Sequence, residues 1–348
     1  MREIRHQRTF ALTPYAGSGE FNANFGQRPF AYAPPTGFKC LNTRNLPTVD
    51  SRKMTGTPDL VWIKSRSAAT DHALYDSSRG VGLDLAINLD AAETSQPNGV
   101  TQLTKTGFVV GNLAKLNTSA ATYVSWLWKK GAIPGFDIIN YVGNGTAGRT
   151  VAHALGVKPA FIIVKNRLDT PAGGQSWAVY HQSLTSAKWL MLASPAAATT
   201  SSIYWNNTEP TSSAVTVGSH ADVNYSGDNL VMYAWAEVPG FSRFESYTGN
   251  GSTDGPFVWC GFRPWFVLFK RTDSAENWQI FDSARANNRM SARLYPNLSN
   301  VEYSDAEGVD FLSNGFKLRS TSSAVNASGG TYIFAAFAEA PFKYAGAR

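Results

Sequence analysis

The sequence predicts an all-β protein: three tandem β-sandwich-like repeats of about 100 residues, preceded by an extended N-terminal arm. The first reason is a motif stated three times. Leu60–Arg66 reads Leu-Val-Trp-Ile-Lys-Ser-Arg, Phe161–Arg167 reads Phe-Ile-Ile-Val-Lys-Asn-Arg, and Phe266–Thr272 reads Phe-Val-Leu-Phe-Lys-Arg-Thr. The lysines at 64, 165 and 270 fall 101 and 105 residues apart, and self-similarity at a fixed period is the signature of a repeat architecture. The second reason is composition. Of 348 residues 13% are aromatic and 16% charged, with 30 Gly, which is the usage of short strands joined by turns.

The repetition extends beyond the motif. About ten residues on come His72-Ala-Leu-Tyr-Asp76, Trp177-Ala-Val-Tyr-His181 and Trp278-Gln-Ile-Phe-Asp282. Later come polar turns beginning at Asn117, Asn224 and Asn326, leading into apolar runs that end at Trp128, Trp235 and Phe337. Copies two and three also open alike, with Pro134-Gly-Phe136 before Tyr141-Val-Gly-Asn-Gly145 and Pro239-Gly-Phe241 before Tyr247-Thr-Gly-Asn-Gly251. The boundaries that follow are an arm and linker over 1–53, repeat one over 54–133 without its opening strand, repeat two over 134–238 and repeat three over 239–348. In copy two, strands are expected at 136–141, 150–155, 160–165, 176–181, 189–192, 203–206, 214–217 and 230–237. Asn144-Gly145, Asn250-Gly251 and Asn314-Gly315 suit tight hairpins, because both residue types accept positive φ. One short helix is expected over 84–92. Trp128, Trp235 and Phe337 are expected inside the core of each repeat, and the three motif lysines at equivalent strand ends.

The charge sits at the front. Residues 1–66 hold ten Lys/Arg and four acids, while the remaining 21 basic and 21 acidic residues cancel. No nucleic-acid-binding motif accompanies that charge, which points to electrostatic docking on a protein partner. No apolar run approaches the ~18 residues of a membrane helix, so no membrane insertion is expected. The basic N-terminus lacks the apolar segment of a secretory signal. Cys40 and Cys260 are too few for a disulfide framework. Within the arm, Glu20–Gly26 alternates as a half-buried strand, and the prolines from Pro29 to Pro47 forbid a regular central strand or helix.

Asn24-Phe-Gly-Gln-Arg-Pro-Phe30, then Pro34-Pro-Thr-Gly-Phe-Lys39 and Asn45-Leu-Pro47, resembles the last strand and exit of a SPRY-like, concanavalin-type sandwich found in phage and prophage tail-fibre proteins. The three-copy region resembles the repeat region that follows that module in those proteins. The matching elements are Trp62–Arg66, Tyr75–Ser77, Tyr247–Gly251 and Phe337–Tyr344. Most of the sandwich is absent and copy one lacks its opening strand. The resemblance implies a non-enzymatic structural protein of a tailed-phage virion, a fibre, appendage or surface subunit serving assembly and host attachment. Its partners would be other virion proteins and copies of itself, with a trimer favoured, and its location the virion, after synthesis in the host cytoplasm. Residues 1–53 would dock through Arg2, Arg5, Arg8, Arg28 and Lys39, which steer, and Phe25, Phe30, Tyr32 and Phe38, which anchor.

Two other functions compete. The first is a glycan-binding receptor module: Ile203-Tyr-Trp-Asn-Asn207, if extended, places Tyr204 and Trp205 on opposite faces, and an exposed ring beside Asn206 and Asn207 is a sugar platform. Trp189 and Trp259 are further candidates. The second is a glycan-degrading enzyme, which needs two carboxylates across a cleft; Asp305, Glu307 and Asp310 lie close in sequence. The five histidines, His6, His72, His153, His181 and His220, show no metal-ligand spacing. No phosphate loop or nucleophile elbow is present, so no catalytic residue, metal or cofactor is assigned. Asp76-Ser-Ser-Arg79 and Asp282-Ser-Ala-Arg285 recur in copies one and three and suit either a sugar or a local ion pair.

Overall fold

Three antiparallel sheets meet at one aromatic centre. In the first, Leu60–Ser65 lies between Ala73–Asp76 and Tyr123–Trp128. In the second, Phe161–Asn166 pairs with Ala178–His181 and with Asn229–Trp235, and the latter carries Phe136–Val142 on its far side. In the third, Pro264–Arg271 pairs with Gln279–Asp282 and with Thr331–Ala338, which carries Ser242–Thr248. The registers match across the three: Leu60, Phe161 and Phe266 stand opposite Trp128, Trp235 and Phe337 on one side and opposite Asp76, His181 and Asp282 on the other. The computed structural model describes residues 56–168, 175–285 and 289–338, the side chains of 289 and 305–307 excepted. The arm, with Arg2, Arg5, Arg8, Phe25, Arg28, Phe30, Tyr32, Phe38 and Lys39, lies outside the described residues, as do 341–344.

The motif strands are continuously apolar because both faces of each are buried. Alternate residues serve two cores. Phe161 and Ile163 face the shared centre, while Ile162 and Val164 face a second cluster with Val151, Val215 and Val217 of the hairpin Arg149–Ala152/Ala214–Val217. Phe266 and Leu268 face the centre, while Val267 and Phe269 face Val309, Phe311 and Phe316 of an outer four-stranded sheet. Leu60 and Trp62 face the centre, and Val61 and Ile63 face Val100 of the hairpin Val100–Thr104/Gly107–Val110. Trp128, Trp235 and Phe337 are therefore not in separate cores. They meet, with ring centroids 6.0 Å apart for Trp128–Trp235 and 5.7 Å for Trp128–Phe337. The packing at this centre leaves only about 20 Å³ unfilled.

The all-β class read from the sequence is what the chain forms, and several local expectations are corrected. No helix forms over 84–92; that stretch holds the short strand Leu83–Asp84 and a backbone exchange between Leu74 and Leu85. Asn144-Gly145 and Asn250-Gly251 do not close hairpins but carry the chain out of an inner sheet. There the buried amides of Asn224 and Asn326 hold them, each accepting from the backbone N–H of Asn144 or Asn250 at 2.9 Å. The two N–H groups of each amide face three acceptors in that loop and its neighbours, so one hydrogen is shared and the donor capacity is consumed. Only Asn314 sits in a hairpin loop, between Tyr303–Leu312 and Gly315–Leu318.

Candidate functional site

Three junctions join the sheets, and each is built on the same backbone hydrogen bond. Glu93 N–H donates to Arg167 O at 2.9 Å, Ala198 N–H to Thr272 O at 2.9 Å, and Glu302 N–H to Arg66 O at 2.8 Å. The acceptor is in every case the residue two beyond the motif lysine. The ring before each second strand also reaches the preceding segment. Trp177 Nε1–H donates to Leu89 O at 3.0 Å, Trp278 Nε1–H to Met191 O at 2.8 Å, and His72 Nε2–H to Tyr295 O at 3.0 Å.

Two junctions hold buried charge. Arg79 donates to Asp76 and, at 2.7 Å, to Glu93, which also takes Arg167 at 2.7 and 3.1 Å. Arg285 donates to Asp282 at 2.7 Å and to Glu302 at 2.9 Å, and Glu302 takes Arg66 at 2.8 and 2.9 Å. Both aspartates accept one more bond from a neighbouring sheet, Asp76 from Tyr233 at 2.7 Å and Asp282 from Trp126 at 3.0 Å. Asp76-Ser-Ser-Arg79 and its counterpart are therefore ion pairs with every oxygen engaged, which leaves nothing to offer a sugar hydroxyl.

The third junction has neutral groups where the other two have their ion pairs. His181 stands where the aspartates stand and donates Nε2–H to Phe334 O at 3.1 Å, while its Nδ1 accepts from Ser183 N–H at 3.2 Å. His72 has the same tautomer, with Nδ1 accepting from Trp62 Nε1–H at 2.9 Å. Burial pushes His181 down to about 4 and, together with the nearby Lys64 ammonium, His72 down to about 3. The motif lysines are buried at the next-to-last position of their strands. Lys165 and Lys270 bond across their junctions to Asp90 O and Pro195 O, each at 3.0 Å. Lys64 turns instead to Ser65 O and Ala68 O on its own segment. Burial lowers Lys64 and Lys270 to about 8.

Where Lys64 turns away, a surface cleft of about 360 Å³ opens, lined by Ala69, Asn277, Tyr295, Asn300, Val301 and Tyr303. Tyr303 is 50% exposed, and the Arg293 guanidinium lies 4.6 Å from its ring centroid. Two rings and two amides around a recess can bind a polyol: ring faces meet C–H groups, and amides meet hydroxyls.

The predicted platform at 204–207 is corrected. Ser201 caps a helical turn, its Oγ accepting from Ile203 N–H, and Ser202–Trp205 is helical until Asn206 at φ 51°. Adjacent residues on one turn do not point to opposite sides; Tyr204 and Trp205 both enter the second core, and only Asn207 of the four is exposed. Trp189 stacks on Tyr204 with centroids 3.7 Å apart, so that ring face is already covered. Trp259 is 52% exposed on an open strand, with the Arg243 guanidinium 5.0 Å from its centroid. Asp310 is paired with Arg319 at 2.6 Å, and the side chains of Asp305 and Glu307 lie outside the described residues. Among the described residues no three metal-ligating side chains converge, and no helix is long and apolar enough to cross a membrane.

Fold and site together define an all-β protein in which several antiparallel sheets share an aromatic centre. The chain belongs to the family described as a domain of unknown function, DUF7483, whose profile matches residues 47–341. No curated protein matches it.

Proposed function

We propose that the chain is three copies of one unit closed into a ring, serving as a non-enzymatic structural subunit of a tailed-phage virion, attached through residues 1–53. The supporting observation is that both faces of each motif strand are buried and the charged groups at two of the junctions satisfy one another. A unit so constituted holds its shape through its own contacts. The virion assignment rests on the resemblance of 20–348 to tail-fibre proteins, and the arm's excess positive charge suits docking on a neighbouring virion protein or on the other chains of a trimer. A chain beginning at residue 54 should keep the circular dichroism of the whole protein yet fail to join the particle. Normal incorporation would place the attachment surface in the repeats.

The cleft beside Tyr303 favours a second reading, a host surface glycan as ligand. Oligosaccharide arrays followed by titration test it: binding should be lost in Tyr303→Ala and retained in Trp259→Ala. Equal loss in both variants would remove the cleft from consideration.

A further inference from the structure

The third sheet meets each of its neighbours across a histidine. His181 of the second segment donates Nε2–H to Phe334 O at 3.1 Å, and His72 of the first donates Nε2–H to Tyr295 O at 3.0 Å. The first and second sheets meet differently at these two places. There the reaching ring is Trp177, bonded to Leu89 O, and the strand-end group is Asp76, bonded to Tyr233.

Both imidazoles fit only when neutral. Each is at most 1% exposed, and the third segment supplies a carbonyl that covers it. Nδ1 of His72 accepts from Trp62 Nε1–H, and Nδ1 of His181 accepts from Ser183 N–H. A proton added at Nδ1 meets an N–H already pointing at it, and its charge lies in a site closed to solvent. Around His72, Lys64 and Lys115 repel that charge, whereas the Tyr295 and Leu298 carbonyls favour it without offsetting burial. Asp71 beside it is engaged by the Asn88 amide, whose oxygen takes the His72 N–H. At His181 the Phe334 carbonyl favours the proton against burial. The adjoining Gln182 amide meets Glu237, itself paired with Arg243. A charged ring at either place regains water only when the third segment moves away.

We propose that the third sheet is an acid-released element: protonation of His72 and His181 detaches it from the first and second sheets, which stay joined through Asp76, Arg79, Glu93 and Arg167. The chain at 236–241 keeps it tethered, and its outer core, with Val309, Phe311 and Phe316, moves with it. The surface uncovered is the aromatic centre where Phe337 meets Trp128. The network of Asp282, Arg285, Glu302 and Arg66 opposes release. Although burial raises the Glu302 carboxyl, its bonds from Arg66 and Arg285 hold it below the usual range, so this network still resists at pH 4.5.

At that pH, about two units below the ordinary histidine value, each ring that gains water favours release by up to about a hundredfold. Peptide-resolved hydrogen exchange on the full chain, corrected for the intrinsic effect of pH, reads the opening at the junction amides. Ala198 N–H and Glu302 N–H bond the third segment to its neighbours, and Glu93 N–H bonds the first to the second. From pH 7 to pH 4.5 exchange at Ala198 and Glu302 should rise at least about tenfold while Glu93 stays unchanged. His72→Gln and His181→Gln keep a donor and an acceptor but do not titrate; each should reduce the rise, and the pair should abolish it. An equal rise at Glu93, no rise at Ala198 and Glu302, or a rise at only one of them overturns the proposal, as does a rise that survives in the folded double variant. Where a Gln variant does not fold, the comparison of the three amides in the native chain decides by itself.

Discussion

The junction between the first and second sheets and the junction between the second and third share a backbone bond, an indole bond and a lysine bond, and differ in their ion pairs. At the first, Asp76, Arg79, Glu93 and Arg167 form one buried network. At the second, the matched positions are His181, Leu184, Ala198 and Thr272, and Leu184 packs on the shared core. All four positions are uncharged together. A partial replacement would leave a charge buried without a partner, which costs several kcal/mol, whereas exchanging a whole buried network for neutral groups is often close to neutral. The difference teaches that the charged junctions are not the stronger ones; they are the ones in which a single change does most harm.

That comparison can be broken most directly by removing one partner. Arg79→Met leaves Asp76 and Glu93 short of a cation and should cost about 3–5 kcal/mol in urea unfolding. Leu184→Ala at the matched, partly buried position should cost about 1 kcal/mol. Equal losses would mean that the two junctions depend on their side chains in the same way.

Acid sharpens the contrast. An unfolded His titrates near 6.5, and folded His181 near 4. Between those values the unfolded chain binds a proton that the folded chain refuses, so stability falls as pH drops from about 6.5 to about 4 and then levels off. His72 adds a similar loss that continues to about 3. Urea midpoints measured from pH 7 to pH 4 should fall in the native chain, and His181→Asn should flatten the curve by close to one proton. An unaltered slope would show that His181 is already charged in the fold. The smallest effect belongs to an exposed pair, Lys158–Glu209, with both side chains more than two-fifths exposed. Lys158→Ala should change stability by less than about 1 kcal/mol, and added salt should shrink the difference further.

The class of fold and the matched positions were legible because repetition supplies its own alignment. Lys64, Lys165 and Lys270 were placed at equivalent strand ends from the motif alone, and His72, Trp177 and Trp278 at one aromatic position. The shared centre was not legible, since an apolar run reads alike whether it fills its own sandwich or a common core. The junction networks were legible in part: the local ion pair was one of the two readings of Asp-x-x-Arg, and its offset from the Lys-x-Arg ending was the part that went unread. Asp-x-x-Arg occurs in copies one and three, and the Lys-x-Arg ending in copies one and two. The two patterns are offset by one copy because each network joins the Asp-x-x-Arg of one segment to the Lys-x-Arg of the next. The platform at 204–207 was misread because Ser201 caps a helical turn there, a local competition that strand-like composition conceals.

The ion pair between Arg66 and Glu302 joins residues 236 positions apart. During synthesis the inner face of the first sheet, with Trp62, Trp126 and Trp128, is complete long before its partners exist. At the ribosome's pace of ~5–20 residues per second, tens of seconds separate the two. Contacts of such sequence separation also slow folding after release. The nascent chain thus carries an uncovered tryptophan surface for most of its own production, and substitutions that merely delay closure should lower yield before they lower the stability of the finished protein.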